Sequence, residues 1–241
     1  MDARSTLARG LVLGLLIAWC GCTDGGRAIR PTEPSPTQPQ SWAEQVAAVR
    51  AGGSHEIRVM DSTITERDWD ALREGCQQLE VLDIEHLDVP ESDLNVLAGL
   101  TQLRQLRLGF PVTDAGLARL AEVSSLRILN LPRGEFTGTG LAELVRLPHL
   151  ELLRFRSPRV TDSGLDEIAR MPALKFLHLI DVPVTDAGLR ALHGLTKLES
   201  FYLDGGRCTD EGLSELLRAL PELHLHRDQL HLPDDPHAHP H

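Results

Sequence analysis

Residues 112–135 read VTDAGLARLAEVSSLRILNLPRGE, and this stretch decides the fold. Thr113 suits a helix N-cap, because its hydroxyl can accept an orphan N–H of the first turn. Asp114 follows and places negative charge at the positive end of the helix dipole. Leu117, Leu120 and Val123 then recur at helical spacing. The pattern next changes to Leu126-x-x-Leu129-x-Leu131, whose last part has the period of a strand. The stretch is predicted to form a short helix, a turn, a short strand and a loop.

The same unit opens at Val112, Phe136, Val160, Val184 and Cys208, each 24 residues after the last, with looser copies at Ile64 and Val89. A fixed period of this size marks a stack of identical units, none of which can bury its apolar face alone. Aligned copies form columns. The first helical apolar position reads Trp69, Leu94, Leu117, Leu141, Leu165, Leu189, Leu213, and the last strand position reads Ile84, Leu108, Leu131, Phe155, Leu179, Leu203. A glycine column (Gly116, Gly140, Gly164, Gly188, Gly212) is predicted to let helix and neighbouring backbone approach closely. Asp68 and Asp93 replace it in the first two copies, which should pack differently. Pro148, Pro172 and Pro221 fall where three helices should stop.

These residues resemble the leucine-rich repeat family, with its Leu-x-x-Leu-x-Leu strand core. The Thr-Asp-x-Gly-Leu opening is similar to the subclass that follows each strand with a helix, a ribonuclease-inhibitor-like solenoid. The resemblance runs from about Ile64 to Leu225. It implies an α/β leucine-rich-repeat solenoid of about seven repeats, a horseshoe arc with a parallel sheet on the concave face and short helices on the convex face. One departure is visible. The family often carries Asn or Cys nine positions into the strand motif, where Leu87, Gly134, Pro158, Val182 and Gly206 stand here, so an asparagine ladder is not expected.

The flanks differ in character. Residues 1–22 resemble a bacterial lipoprotein signal: Arg4 and Arg9 precede an apolar run from Leu11 to Trp19, too short to span a bilayer, and Gly21 precedes Cys22. The resemblance implies lipidation at Cys22 and a membrane anchor in the bacterial cell envelope, periplasmic or on the outer membrane. An ordinary secretory signal with incidental cysteines, and a secreted product, is the alternative. Residues 23–41 are polar and proline-rich, either a semi-rigid stalk or a terminus without a spacer role. Residues 42–63 read as an N-terminal cap, with an amphipathic helix from Trp42 to Arg50, a break at Gly52-Gly53, and a first strand at Ile57 and Val59. Repeats fill 64–225, Leu223 to His226 being at best an edge strand, and 226–241 form a histidine-rich tail.

The chain has 241 residues and a net charge of −11, which argues against a sequence-independent grip on nucleic acid. No phosphate loop, nucleophile elbow or zincin motif is present, so an enzyme is not expected, nor a cofactor. Strands pack closer than helices, so the stack must curve with the sheet inside. The inner central column then reads Asp83, Arg107, Asn130, Arg154, His178, Tyr202. Ile128, Leu152 and Phe176 are expected as an exposed apolar stripe beside Arg154, Arg156, His178 and Tyr202, residue types that anchor protein interfaces. The plainer reading is that such residues are strand formers without a ligand. Cys76 and Cys208 lie on apolar rungs far apart and are expected as buried free thiols. His237, His239 and His241 could chelate a metal, or belong to a solvated tail. Two functions follow: a monomeric recognition module for an unknown protein or peptide, or an envelope metal-binding protein using its tail.

Overall fold

A computed structural model of the chain describes residues 41–228, 230 and 231. The signal segment, Cys22, nearly all of the proline-rich stretch and His237, His239 and His241 lie outside the described residues. Helix α1 (Trp42–Arg50) opens at Ser41, whose Oγ accepts the Glu44 N–H while the Glu44 carboxylate accepts the Ser41 N–H. This reciprocal capping box satisfies two backbone donors at once. Gly52, at φ 73°, turns the chain into β1 (Glu56–Thr65). Then follow α2 (Glu66–Asp70), β2 (Val81–Asp88), a 3-10 segment (Glu91–Gly99), β3 (Gln105–Leu108), α3 (Asp114–Leu120), β4 (Ile128–Leu131) and α4 (Gly138–Leu144). The chain continues through β5 (Leu152–Arg156), α5 (Asp162–Ile168), β6 (Phe176–Ile180), α6 (Asp186–Leu189), β7 (Ser200–Asp204), α7 (Asp210–Ala219), β8 (His224–Arg227) and β9 (Leu230–His231).

Strands β1 to β8 pair in parallel in chain order, and β9 closes the series antiparallel to β8. The 24-residue period becomes spatial register: Ile57, Leu82, Leu106, Leu129, Leu153, Leu177, Phe201 and Leu225 are partners across eight strands. None of them is more than 1% exposed. Helical leucines meet this column from the other side, and the two sets form one continuous core. Just before each of strands β1 to β6, a single carbonyl accepts two successive N–H groups of the next repeat. Arg127 O, for example, takes Glu151 N and Leu152 N at 2.8 and 2.9 Å. The turn that leads into each strand is thus tied to its neighbour, and its backbone groups are not left bare.

The helical side is tied by side chains. Asp114 was expected to act on its own helix dipole, and it does occupy the first turn. Its carboxylate also reaches into the next repeat, where it accepts the Thr137 N–H (2.7 Å), the Thr137 hydroxyl (2.9 Å) and the Gly140 N–H (3.1 Å). Asp162 binds Thr185 in the same way, with both bonds at 2.7 Å, and Asp186 binds Thr209 at 2.8 and 2.7 Å. Glu91 supplies the carboxylate for Thr113. Thr113 keeps its N-cap position, but its hydroxyl donates to Glu91 and caps no helix N–H, a correction to the reading from sequence. The glycine column makes room for these carboxylates. A Cβ at Gly140 would stand 2.5 Å from Asp114 Oδ1, and one at Gly212 would stand 2.2 Å from Asp186 Oδ1.

One rung is missing. Repeat four has Gly138 where the others have an acid, and Thr161 turns its hydroxyl to Ser163 Oγ at 3.1 Å. The first two units use another device. Trp42 Nε1 donates to Asp68 O at 3.0 Å and Trp69 Nε1 donates to Asp93 O at 2.8 Å. Both acceptors belong to the aspartates that replace the glycine column, and the segment around Asp93 is 3-10 rather than α. The copies without glycine do pack differently. Cys76 and Cys208 are buried free thiols, as expected. Strand β8 corrects the reading of Leu223 to His226 as an edge: it is a full rung, and β9 lies outside it.

Removing one carboxylate tests the ladder. Asp114→Ala strips three donors of their acceptor and should cost about 1–3 kcal/mol, read as a lower urea midpoint. Gly138→Asp should restore the missing rung and raise the midpoint, since its Cβ meets nothing nearer than the Gly164 backbone at 3.3 Å, a contact that a small shift relieves. A lowered midpoint for Gly138→Asp would contradict the ladder. Leu177→Ala, in the middle of the strand column, should cost about 2–5 kcal/mol.

Candidate functional site

Alternate strand residues point away from the core, so the inner sheet face carries one central side chain per strand. In chain order these are Arg58, Asp83, Arg107, Asn130, Arg154, His178, Tyr202 and His226, each in register with the next. They bond to one another along much of the sheet. Arg107 donates to Asp83 Oδ1 at 3.0 Å and to Glu85 Oε2 at 2.6 Å, and Arg58 lies 3.6 Å from the other Asp83 oxygen. Arg154 donates through Nη1 to Asn130 Oδ1 and through Nε to His178 Nδ1, both at 3.2 Å. His178 Nε2 meets Asp204 Oδ2 at 2.8 Å. Beyond it the Tyr202 ring lies 5.4 Å from His178 and stacks on His226 at 4.5 Å and 8°.

These contacts assign the imidazole. Arg154 can only donate, so His178 Nδ1 accepts and Nε2 carries the proton that goes to Asp204. The ring is therefore neutral in this arrangement. Burial pushes its pKa below the ordinary histidine value; the Asp204 hydrogen bond opposes this, and the Arg154 charge adds to the lowering. Arg154 is also lowered, by burial first and then by Arg107. Burial works against Arg107 too, but Glu85 and Asp83 outweigh it and its pKa moves up. Burial raises the Tyr202 hydroxyl.

Arg154, His178 and Tyr202 are thus brought together, but as one network rather than three separate contact residues. Arg156 stands apart and pairs with Asp181 at 2.9 Å on the exposed rim. Ile128, Leu152 and Phe176 are strand neighbours, as the columns imply. They are not the exposed stripe that was expected: Ile128 is 6% exposed, and Leu152 and Phe176 are half-buried. Side chains on strands about 4.8 Å apart shade one another, which a column in a sequence does not show. Spacing alone does not single out Asn130 and Asp204 as partners of the network, and composition places His226 in the histidine-rich tail. Adding one more period of 24 to Tyr202 reaches His226, so the signal was present.

No protein-family model matches the sequence, and no curated protein does either. Solved structures do. The chain is similar to internalin C2 of Listeria monocytogenes, with a TM-score of 0.58 and 22% identity over 80% of this chain and 86% of that one. It is also similar to an internalin F of the same organism, with a TM-score of 0.51 and 17% identity over 77% of this chain and 57% of that one. The fold is the α/β leucine-rich-repeat solenoid. At these identities the leucine-rich-repeat likeness extends to architecture, and the inner-face residues belong to this chain's own chemistry.

The neutral His178 makes stability pH-dependent. Its contribution is complete above the unfolded value of about 6.5 and is lost as the pH falls through the lower folded value. Acid would place a second cation against Arg154. Between about pH 7 and about pH 5, His178→Asn should therefore lose less stability than the parent chain, measured as urea midpoints at each pH. Equal losses would show that His178 is not held neutral.

Proposed function

We propose that this chain is a non-catalytic recognition module that binds a protein or peptide on its inner sheet face. The observation that carries this reading is the Tyr202 stack. An aromatic ring held between His178 and His226 on a parallel sheet, on the same face as half-buried Phe176 and Leu152, has little freedom left to lose on binding. Aromatic and arginine side chains in such positions dominate interface energies. Arg156 on the rim adds an exposed cation at one end of the patch. Both nitrogens of His178 are engaged by neighbours, which suits a fixed contact surface rather than a base awaiting a substrate.

The module works as a monomer held at a bacterial envelope membrane through lipidated Cys22, with residues 23–41 as its tether. The positive n-region, the short apolar run and the Gly21-Cys22 pair support this reading. Among the described residues no helix is long and apolar enough to cross a membrane.

Two measurements test these statements. Intact mass of the membrane-extracted protein should equal residues 22–241 plus lipid, and Cys22→Ser should abolish the increment; an unmodified N-terminus elsewhere would refute the anchor. A photo-crosslinking amino acid placed at Leu152 or Phe176 should capture a partner in native membranes, whereas Glu143 or Glu167 on the helical side should not. Capture from the helical side alone would move the site off the sheet. Tyr202→Ala should weaken the captured complex by about 1–2 kcal/mol or more.

A further inference from the structure

The last parallel strand sets a second histidine beside His226, the stacking partner of Tyr202. His224 and His226 occupy positions i and i+2 of β8, so both side chains leave the same face of the strand. Their Nε2 atoms stand 2.6 Å apart, with ring centroids 4.6 Å apart. His226 is 6% exposed and lies flat against Tyr202, which holds one of the two rings in place. The backbone pairs His226 with His231 of β9. Three histidine positions therefore adjoin one another on the final two strands.

We propose that His224 and His226 chelate a divalent transition metal through their converging Nε2 atoms, with Cu2+ or Ni2+ preferred over Zn2+. Neutral imidazole is a common ligand of these ions, and Cu2+ and Ni2+ accept square-planar geometry. With metal–nitrogen bonds of about 2.0–2.1 Å, adjacent square-planar ligands stand about 2.9 Å apart and tetrahedral ones about 3.3 Å. The pair must open by about 0.3 Å for the first arrangement and about 0.7 Å for the second, so the square-planar ions fit with less movement. In the metal-free pair one Nε2 carries the proton that bridges the two rings. On binding, that proton moves to the Nδ1 of the same ring, both Nε2 lone pairs face the ion, and each ring stays neutral. Among the described residues no group of three metal-ligating side chains forms, so water completes the coordination. This site differs from His237, His239 and His241, and it does not depend on the inner face binding a peptide.

The test is titration of Cu2+ and of Ni2+ into the full chain, purified without an added histidine tag and with free histidine as competitor. The comparison set is His224→Gln, His226→Gln and the triple variant His237→Gln/His239→Gln/His241→Gln. One site per chain should survive the triple substitution and weaken about tenfold or more in each single variant. His224 is only half-buried, so His224→Gln is the variant least likely to disturb the fold, and matching melting curves check this. In the triple variant, the Cu2+ spin-resonance spectrum should show coupling to two imidazole nitrogens, falling to one in the added presence of His224→Gln. Binding lost with the tail and unchanged by His224→Gln would leave adventitious tail binding only and overturn the proposal, as would a spectrum without two imidazole nitrogens.

Discussion

Four of the repeats are held to the next by a carboxylate that reaches forward into the threonine corner of its neighbour. Asp114, Asp162 and Asp186 each accept both the backbone N–H and the hydroxyl of a threonine 23 residues on, and Glu91 does so 22 residues on. The arrangement answers two needs at once. A charged acceptor satisfies a backbone donor just where a loop turns into a helix, and charge-assisted bonds of this kind are stronger than neutral ones. It also makes the glycine column obligatory, because the volume a side chain would take at Gly140, Gly188 or Gly212 is filled by the aspartate of the repeat before. Asp and Gly in the opening motif are therefore two halves of a single contact. An asparagine ladder inside the loops is dispensable when the helical side is tied in this way.

The inner face follows a related logic. Its charges are spent mostly on one another: Arg58, Asp83, Arg107 and Glu85 form one cluster, and Asn130, Arg154, His178 and Asp204 form the next. A surface whose charged groups are already matched presents shape, stacking area and fixed dipoles to a partner rather than free charge. That supports recognition centred on Tyr202 and the half-buried Phe176 and Leu152, with Arg156 at the rim. It also explains why a neutral histidine can sit between an arginine and an aspartate, because only the neutral ring both accepts from Arg154 and donates to Asp204.

A solenoid has two ends, and each is closed by different chemistry. At the N-terminal end, indole N–H groups of Trp42 and Trp69 replace the carboxylate rungs and α1 covers the first unit. At the C-terminal end, β8 pairs fully with β7 and then folds back through Asp228, at φ 48°, into the short antiparallel β9. Open sheet edges invite pairing with other chains, and a short reversed strand is one means of blunting them. The same turn-back sets the backbone of His231 opposite His226.

The period of 24, the alternation within each strand and the leucine columns were legible in the sequence, and with them the fold, the register and the buried core. These are properties of a pattern repeated along the chain: once one unit must bury its leucines, all units stack in the same register. Leu179 and Leu203 could be placed in the core from spacing alone. Only the tertiary structure decided where the Asp114 carboxylate goes, that Ile128 is covered, that Arg154 is tied to Asn130 and His178, and that Tyr202 stacks on His226. Each of these depends on the lateral distance between side chains a full repeat apart, and that distance is set by the packing of neighbouring repeats. A linear pattern names which residues share a column. It does not say which of them touch.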